Sequence, residues 1–260
     1  MKEELEITDE LDIEEESKIM EEPKIKEEVK KNYLFSNKDL IQLILPIMVE
    51  QLLAILVGLA DSIMVASVGE SAVSAVSLVD SISILLINIF AAIASGGAIV
   101  VGQYIGQKRA DMARKAGEQL LVFVTFISII IMAVMYFGKG FILNVVFGKI
   151  EPDVKAYANT YLLIVFASIP FIALYNSGAA LFRAMRNSRI TMITSIIMNV
   201  INIGGNALLV FGFGMKVEGV AISTLVSRAV AAIIIIMLLR DESLTVYISK
   251  NFRYKFDKKM

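Results

Sequence analysis

No cysteine and no histidine occur among the 260 residues of this chain. Without cysteine there are no disulfides, thiolate metal sites or thiol nucleophiles. Without histidine the usual general base, metal ligand and near-neutral proton switch are missing. Serine–histidine hydrolysis, zinc proteolysis and imidazole proton relays are therefore excluded. Aspartyl chemistry within a membrane would call for a Gly-x-Gly-Asp motif, which occurs nowhere in the sequence. The chain is not expected to be an enzyme, and no resident cofactor is implied.

Apolar residues are abundant instead: 57% of the chain is hydrophobic and its mean hydropathy is +0.70. They fall into runs of about 20 residues or more separated by short charged stretches, the pattern of helices that cross a bilayer. Six such spans are read, at about 40–68, 75–104, 117–138, 155–181, 190–212 and 217–239. The fold class expected is all-α integral membrane, a lobe of six transmembrane helices.

The formal net charge of −1 conceals two opposite parts. Residues 1–31 carry 13 acids and 6 bases, net −7, and the remaining 13 acids and 19 bases give residues 32–260 net +6. The segment 1–36 has too little apolar surface to fold alone and is expected to be a disordered acidic tail. It lacks the basic start and apolar stretch of a secretory signal. Residues 37–240 are assigned to the transmembrane lobe and 241–260 to a basic segment beyond it.

The connections alternate in charge. Lys108, Arg109, Arg114 and Lys115 follow the second span. Arg183, Arg186 and Arg189 follow the fourth, and Arg240, Lys250, Arg253, Lys255, Lys258 and Lys259 follow the sixth. The loops between carry few bases, Lys139, Lys149 and Lys216 among them. Because Lys and Arg collect on the cytoplasmic side, both termini are expected there, in a multi-pass protein of the plasma (inner) membrane. The bases follow helix ends as topology requires, so nucleic acid is not expected as a partner; the lipid bilayer is.

Two acids, Glu50 and Asp61, lie inside the first span. A carboxylate at a helix centre costs about 2.5–3.5 kcal/mol on insertion scales, so such groups face a protein interior or a water-filled cavity. Eleven positions apart, they fall on nearly one face at roughly 100° per residue. Pro46, a turn before Glu50, removes a backbone hydrogen bond, as does Pro170 midway along the fourth span; each can kink its helix. The fifth span carries Asn199, Asn202 and Asn206 on one face, and the sixth carries Thr224 and Arg228 at i, i+4.

Asp61, Asn202, Asn206 and Thr224 together make an all-oxygen cluster that suits a hard monovalent cation such as Na⁺. The same pocket suits proton coupling, with Asp61 loading and releasing H⁺. Structural readings stand beside these. Asp61 could lie partly solvated near the Gly69 loop, and Asn199 could bridge helices. Arg228 is read as neutralising a neighbouring carboxylate or snorkelling rather than binding substrate. Glu50 is either a gating or cavity-lining group or a structural ion-pair partner. Asp80, at the start of the second span, is expected at the membrane interface. Gly102 and Gly106 form a small-xxx-small surface, which alone is weak evidence of close helix packing.

Several segments, taken in order, resemble the multidrug and toxic compound extrusion (MATE) transporters. They are Leu45-Pro46, Glu50-Gln51 and Leu59-Ala60-Asp61-Ser62-Ile63-Met64-Val65; Gly69-Glu70-Ser71 with Ala72-Val73-Ser74-Ala75-Val76-Ser77; and the stretch Ala98 to Arg109. Phe182-Arg183-Ala184-Met185-Arg186-Asn187-Ser188 is similar to the family's FRAxGNS loop, with Arg186 where glycine is usual. Asn206 to Gly214 and Gly219 to Thr224 resemble its fifth and sixth helices, so the likeness covers about 40–240.

The resemblance implies efflux of a small organic cation or drug by Na⁺ or H⁺ antiport, through alternating access. It implies a cation site at Asp61, Asn202, Asn206 and Thr224. The family commonly has aspartate at the position of Asn206, so one carboxylate is lost here. It also implies a two-lobe bundle of twelve spans, of which this chain holds the amino-terminal lobe. A second six-helix lobe, as a separate chain or a second copy, is expected as partner, and a truncated or split transporter is favoured over a self-sufficient homodimer. Two other functions compete with it: a flippase-like exporter of lipid-linked saccharides, and a non-transporting remnant subunit. Anionic saccharide cargo calls for a cationic cavity, whereas Glu50 and Asp61 oppose only Arg228.

Overall fold

The computed structural model describes residues 37–249. The chain divides into two compact units, Met1–Gln42 and Leu43–Met260. Of the first unit only 37–42 are described, as the opening turns of a helix. The acidic tail, and Lys250, Arg253, Lys255, Lys258 and Lys259, lie outside the described residues.

Every regular element is helical among the described residues. They are α1 (Asn37–Ala66), α2 (Glu70–Gly106), α3 (Ala110–Phe137), α4 (Pro152–Ala167), α5 (Ile169–Ala184), α6 (Ser188–Asn206) and α7 (Val217–Leu238). Five of these are long and apolar enough to cross a membrane alone. The pair α4 and α5 makes a sixth span bent by 42°. The bend sits at Ser168, two residues before Pro170, whose missing N–H and ring cannot continue the helix ladder. The six expected spans are thus present, and Pro170 does break the fourth. Pro46, by contrast, is accommodated inside the continuous α1.

Helix starts differ most from the sequence reading. α2 begins at Glu70 rather than near 75, and its 37 residues reach about 55 Å at 1.5 Å per residue. α3 begins at Ala110 rather than 117, because its first two turns are amphipathic and bury Ala113 and Ala116. The stretch expected as a loop at 139–154 contains a helical turn, Lys139–Phe141, and a π turn, Ile142–Val146. Ile142 and Leu143 are buried against the core there, apolar residues that a solvated loop would waste.

Two helix ends show why the chain turns where it does. At the end of α5 the amide of Asn187 donates to the carbonyl of Phe182 (2.9 Å) and that of Arg186 to Arg183 (3.0 Å). This paired closure places Arg186 in the left-handed region, φ 61°. Such a conformation favours glycine, the residue that the resembling loop carries there. Lys108, φ 58°, ends α2 in the same way.

α2 packs along α3, α4 and α5, and α7 along α4, α5 and α6. Their interfaces enclose Phe90, Leu162, Phe166, Leu181, Phe182 and Ile235, all fully buried. Between membrane helices, where lipid is as apolar as leucine, such contacts depend on close fit and small residues. Gly205 shows this at the α6–α7 crossing: a Cβ there would collide with Ser223 Oγ, itself committed as donor to the Asn202 carbonyl at 2.7 Å. Gly205→Ala is expected to destabilise the lobe by about 1–3 kcal/mol through overpacking. Gly204→Ala, where a Cβ meets nothing within 4 Å, serves as the neutral control; thermal unfolding in detergent reads both. The Gly102–Gly106 surface likewise meets no neighbour within 4 Å, so this pair makes no close helix contact among the described residues.

α1 makes no backbone contact of comparable extent with any other helix among the described residues. Ile44, Met48, Leu52, Ile55, Leu59 and Ile63 form an exposed row along it. Beyond α7 the chain doubles back, with the Ile248 amide donating to the Leu239 carbonyl at 2.7 Å. Val246 is buried beside Gly117, Arg114 Nη1 donates to Tyr247 Oη at 2.7 Å, and the Ser249 amide donates to Glu118 Oε1 at 3.1 Å. The described part of the segment assigned to 241–260 is therefore docked on α3, since it brings Val246 and Tyr247 to groups that fit them.

Candidate functional site

α6 is amphipathic in an inverted sense: its polar face is the buried one. Asn199, Asn202 and Asn206 are at most 6% exposed, while Ile193, Val200 and Leu208 point outward. Inside a bilayer this is the favourable orientation, because polar groups need partners that lipid cannot supply.

Asn206 Nδ2 donates to Asp61 Oδ1 at 2.5 Å and lies 3.5 Å from Asn202 Oδ1. Asn202 Nδ2 in turn donates to Thr224 Oγ1 at 3.2 Å. The four residues singled out as a cluster, from three different helices, thus form one hydrogen-bonded chain. Asn206 Oδ1 remains buried without a partner.

Four more groups join this pocket. Asp80, ten residues into α2, accepts a hydrogen bond from Tyr161 Oη at 3.2 Å. Asp80 is half-buried and faces Tyr161 within the bundle. Arg228, one turn beyond Thr224 on α7, donates through Nη1 to Ser168 Oγ at 2.7 Å, at the α4–α5 break. Asp61, Asp80 and Tyr161 all lie within electrostatic reach of its guanidinium. The hydrogen bond of Arg228 is to Ser168, with the two carboxylates near enough to feel its charge. Tyr161 and Ser168 had no sequence signal beyond being polar in an apolar span, and tyrosine is ordinary there.

As placed, the donor set is not a cage of oxygens. The nearest partner of Asp61 is an N–H donor, and the neighbouring positive charge belongs to Arg228. No group of three or more acidic residues suited to a metal ion occurs among the described residues. A Na⁺ bound at Asp61 would have to displace the Asn206 amide nitrogen, leaving Asn206 Oδ1 and Thr224 Oγ1 as the available neutral oxygens.

Glu50 lies in a second, separate cluster. It accepts a hydrogen bond from Tyr175 Oη at 3.1 Å, and its other oxygen is 3.5 Å from Arg183 Nη1. Of the two sequence readings of Glu50, the structure displays the pairing. Pro46 is buried one turn before it, and Asn199 is buried with Nδ2 unpartnered, so that amide does not bridge helices through its nitrogen. Tyr175 and Arg183 were not foreseen; Arg183 was read as a topology signal, which its position also satisfies.

Apolar helices long enough to cross a bilayer, with charged and hydrogen-bonded groups buried between them, define a multi-pass membrane protein. More narrowly, the chain belongs to the MATE family, whose MatE model matches residues 46–208. It is 30% identical over 207 residues to the uncharacterized transporter YisQ of Bacillus subtilis, covering 77% of this chain and 44% of that protein. It is 26% identical over 212 residues to the probable multidrug resistance protein NorM of Thermotoga maritima, covering 78% and 45%. The multidrug export protein MepA of Staphylococcus saprophyticus is 24% identical over 215 residues, covering 82% and 47%. Among solved structures, a MOP superfamily transporter from Pyrococcus furiosus superposes with a TM-score of 0.77 at 21% identity, over 82% of this chain and 47% of that one. An outward-facing MATE family transporter gives 0.75 at 21% identity, over 82% and 47%. The chain spans about half the length of the curated relatives it matches. Members of this family are transporters.

Proposed function

We propose that this chain is the amino-terminal half of an exporter of small organic cations, driven by proton uptake at Asp61. The observation that carries this reading is the contact of Asp61, in an otherwise apolar span, with the polar face of α6. Across both clusters Glu50, Asp61 and Asp80 oppose Arg183 and Arg228, three negative charges against two positive. That excess favours positively charged cargo over anionic lipid-linked saccharides. A proton is favoured over Na⁺ as the coupling ion, because the partner of Asp61 is an N–H donor and a guanidinium already supplies fixed positive charge. The pocket then carries one negative charge when Asp61 and Asp80 are both ionised, and one proton neutralises it.

In this reading the basic helix ends face the cytoplasm, and the protein sits in the inner membrane. Asp61 takes a proton in the outward-open state, and the lobe rearranges. The cation leaves as the proton enters. The exposed row on α1 is available to a second six-helix lobe, which completes the cavity.

Everted vesicles test the proposal, from cells making the chain alone or together with the carboxy-terminal half of a MATE relative. A cationic dye such as ethidium is expected to accumulate on imposing an acidic interior, with the pair and not with an empty control. Accumulation that follows a Na⁺ gradient at constant pH would reassign the coupling ion. No accumulation with either gradient would favour a remnant without transport.

A further inference from the structure

The polar face of α6 is longer than the Asp61 pocket needs. Ser188, Thr191, Ser195, Asn199, Asn202 and Asn206 fall within an arc of about 80° at 100° per residue. All six are at most 6% exposed. From Ser188 to Asn206 is 18 residues, about 27 Å at 1.5 Å per residue, close to the ~30 Å of a bilayer's hydrocarbon core. Only the last two belong to the hydrogen-bonded chain with Asp61 and Thr224.

The two acids of α1 meet this face at different heights. Asp61 is held by Asn206 at one end. Toward the basic end, Tyr175 Oη donates to Glu50, lies 3.5 Å from the Thr191 carbonyl oxygen, and is within hydrogen-bond reach of Ser195. Tyr175 thus ties Glu50 to the middle of the same stripe.

Unpartnered atoms mark the line between. Six buried side-chain nitrogen or oxygen atoms find no hydrogen-bond partner among the described residues. Four of them are Ser188 Oγ, Glu50 Oε2, Asn199 Nδ2 and Asn206 Oδ1. A buried polar atom without a partner costs about 1–3 kcal/mol, and native proteins satisfy such atoms with ordered water. A single one could be a defect. Three of these, Ser188 Oγ, Asn199 Nδ2 and Asn206 Oδ1, spread along one helix face among further hydroxyls and amides, are suited to water.

We infer that the α1–α6 interface is a hydrated file running from the basic end of the lobe, past Glu50, to the Asp61 pocket. Its ligands are water and the protons that water carries. Asn199, the one asparagine outside both clusters, supports the middle of the file. Glu50 stands at its mouth, accepting from Tyr175 Oη through one oxygen and facing Arg183 Nη1 at 3.5 Å through the other. The file gives Asp61 a route for protons toward the basic end that does not pass through a substrate cavity. This rests on the transport reading only for its purpose, not for its existence.

The absence of cysteine makes the test clean. Ser195→Cys, Asn199→Cys and, on the exposed face, Ile193→Cys each introduce a single thiol. Proteoliposomes holding each variant are exposed briefly to Ag⁺, a probe about the size of water, in chloride-free buffer. Thiols left unreacted are then counted with a maleimide after denaturation, and thermal unfolding confirms that each variant is folded. The thiols at 195 and 199 are expected to react at least tenfold faster than the one at 193. Folded variants in which all three react equally slowly would overturn the file. The readout needs neither a second lobe nor substrate. Reactive thiols in a chain that exports nothing would keep the file and sink the efflux proposal, and the reverse result would do the opposite.

Discussion

Asp61→Asn is expected to reduce pH-driven export by the assembled transporter to the level of empty vesicles, with membrane insertion unchanged. The substitution is nearly isosteric. The Asn206 amide nitrogen that donates to Asp61 Oδ1 can donate equally to an asparagine oxygen, so the α1–α6 contact survives. What disappears is the capacity to carry a proton. Exchanging a charged acceptor for a neutral one alters a hydrogen bond by about 1 kcal/mol, too little to unfold the lobe. Dye accumulation in everted vesicles, with membrane-fraction immunoblots as the control for insertion, separates the two effects. Undiminished accumulation would remove Asp61 from the mechanism, and loss of insertion would make its role structural.

Arg228→Met is expected to be the most destabilising single change in the lobe. Two carboxylates, Asp61 and Asp80, lie within reach of this guanidinium, and Ser168 at the α4–α5 break accepts a hydrogen bond from it. Removing one partner from a buried ionic group typically costs about 3–5 kcal/mol, because the charge left behind has no counter-ion. Adding Asp80→Asn removes one of the stranded charges and is expected to restore much of the loss. Non-additivity of that size is the mark of a direct pair. A second effect separates charge from packing: with the resident cation gone, Na⁺ is expected to raise the unfolding temperature of Arg228→Met relative to choline, and to leave the parent chain unaffected. Equal melting in both salts for both proteins would show that Arg228 does not stand in for a metal cation.

The parts of the fold legible in the sequence were those with a strong physical price. Six apolar runs could not be anything but spans, and polar residues on them could not face lipid, so Asp61, Asn202, Asn206 and Thr224 read as one oxygen-bearing cluster from residue type alone. Helix starts were less legible. Glu70 and Ser71 are good first-turn residues and also good loop residues, and hydropathy alone cannot choose between them. Tyr161, Tyr175 and Ser168 were missed for another reason: their roles come from which helices cross, and nothing local to them encodes it. The docking of 241–249 on α3 was equally invisible, since Val246 and Tyr247 become meaningful only beside Gly117 and Arg114.

The π turn Ala207–Gly212, which follows Asn206 directly, closes with the Phe213 amide donating to the Leu208 carbonyl at 3.0 Å. Each such ring spans one residue more than an α-helical ring, so this stretch stores a surplus position in the helix. It works as a phase buffer between the asparagine face and the loop that leads to α7. A one-residue deletion inside 207–212 can be absorbed by reverting to α-helix, leaving Asn199, Asn202 and Asn206 in register with α1. The same deletion between Asn199 and Asn202 has no such reserve and turns everything beyond it by about 100°. Length variation in related chains should therefore be tolerated on the loop side of Asn206 and rejected on the other.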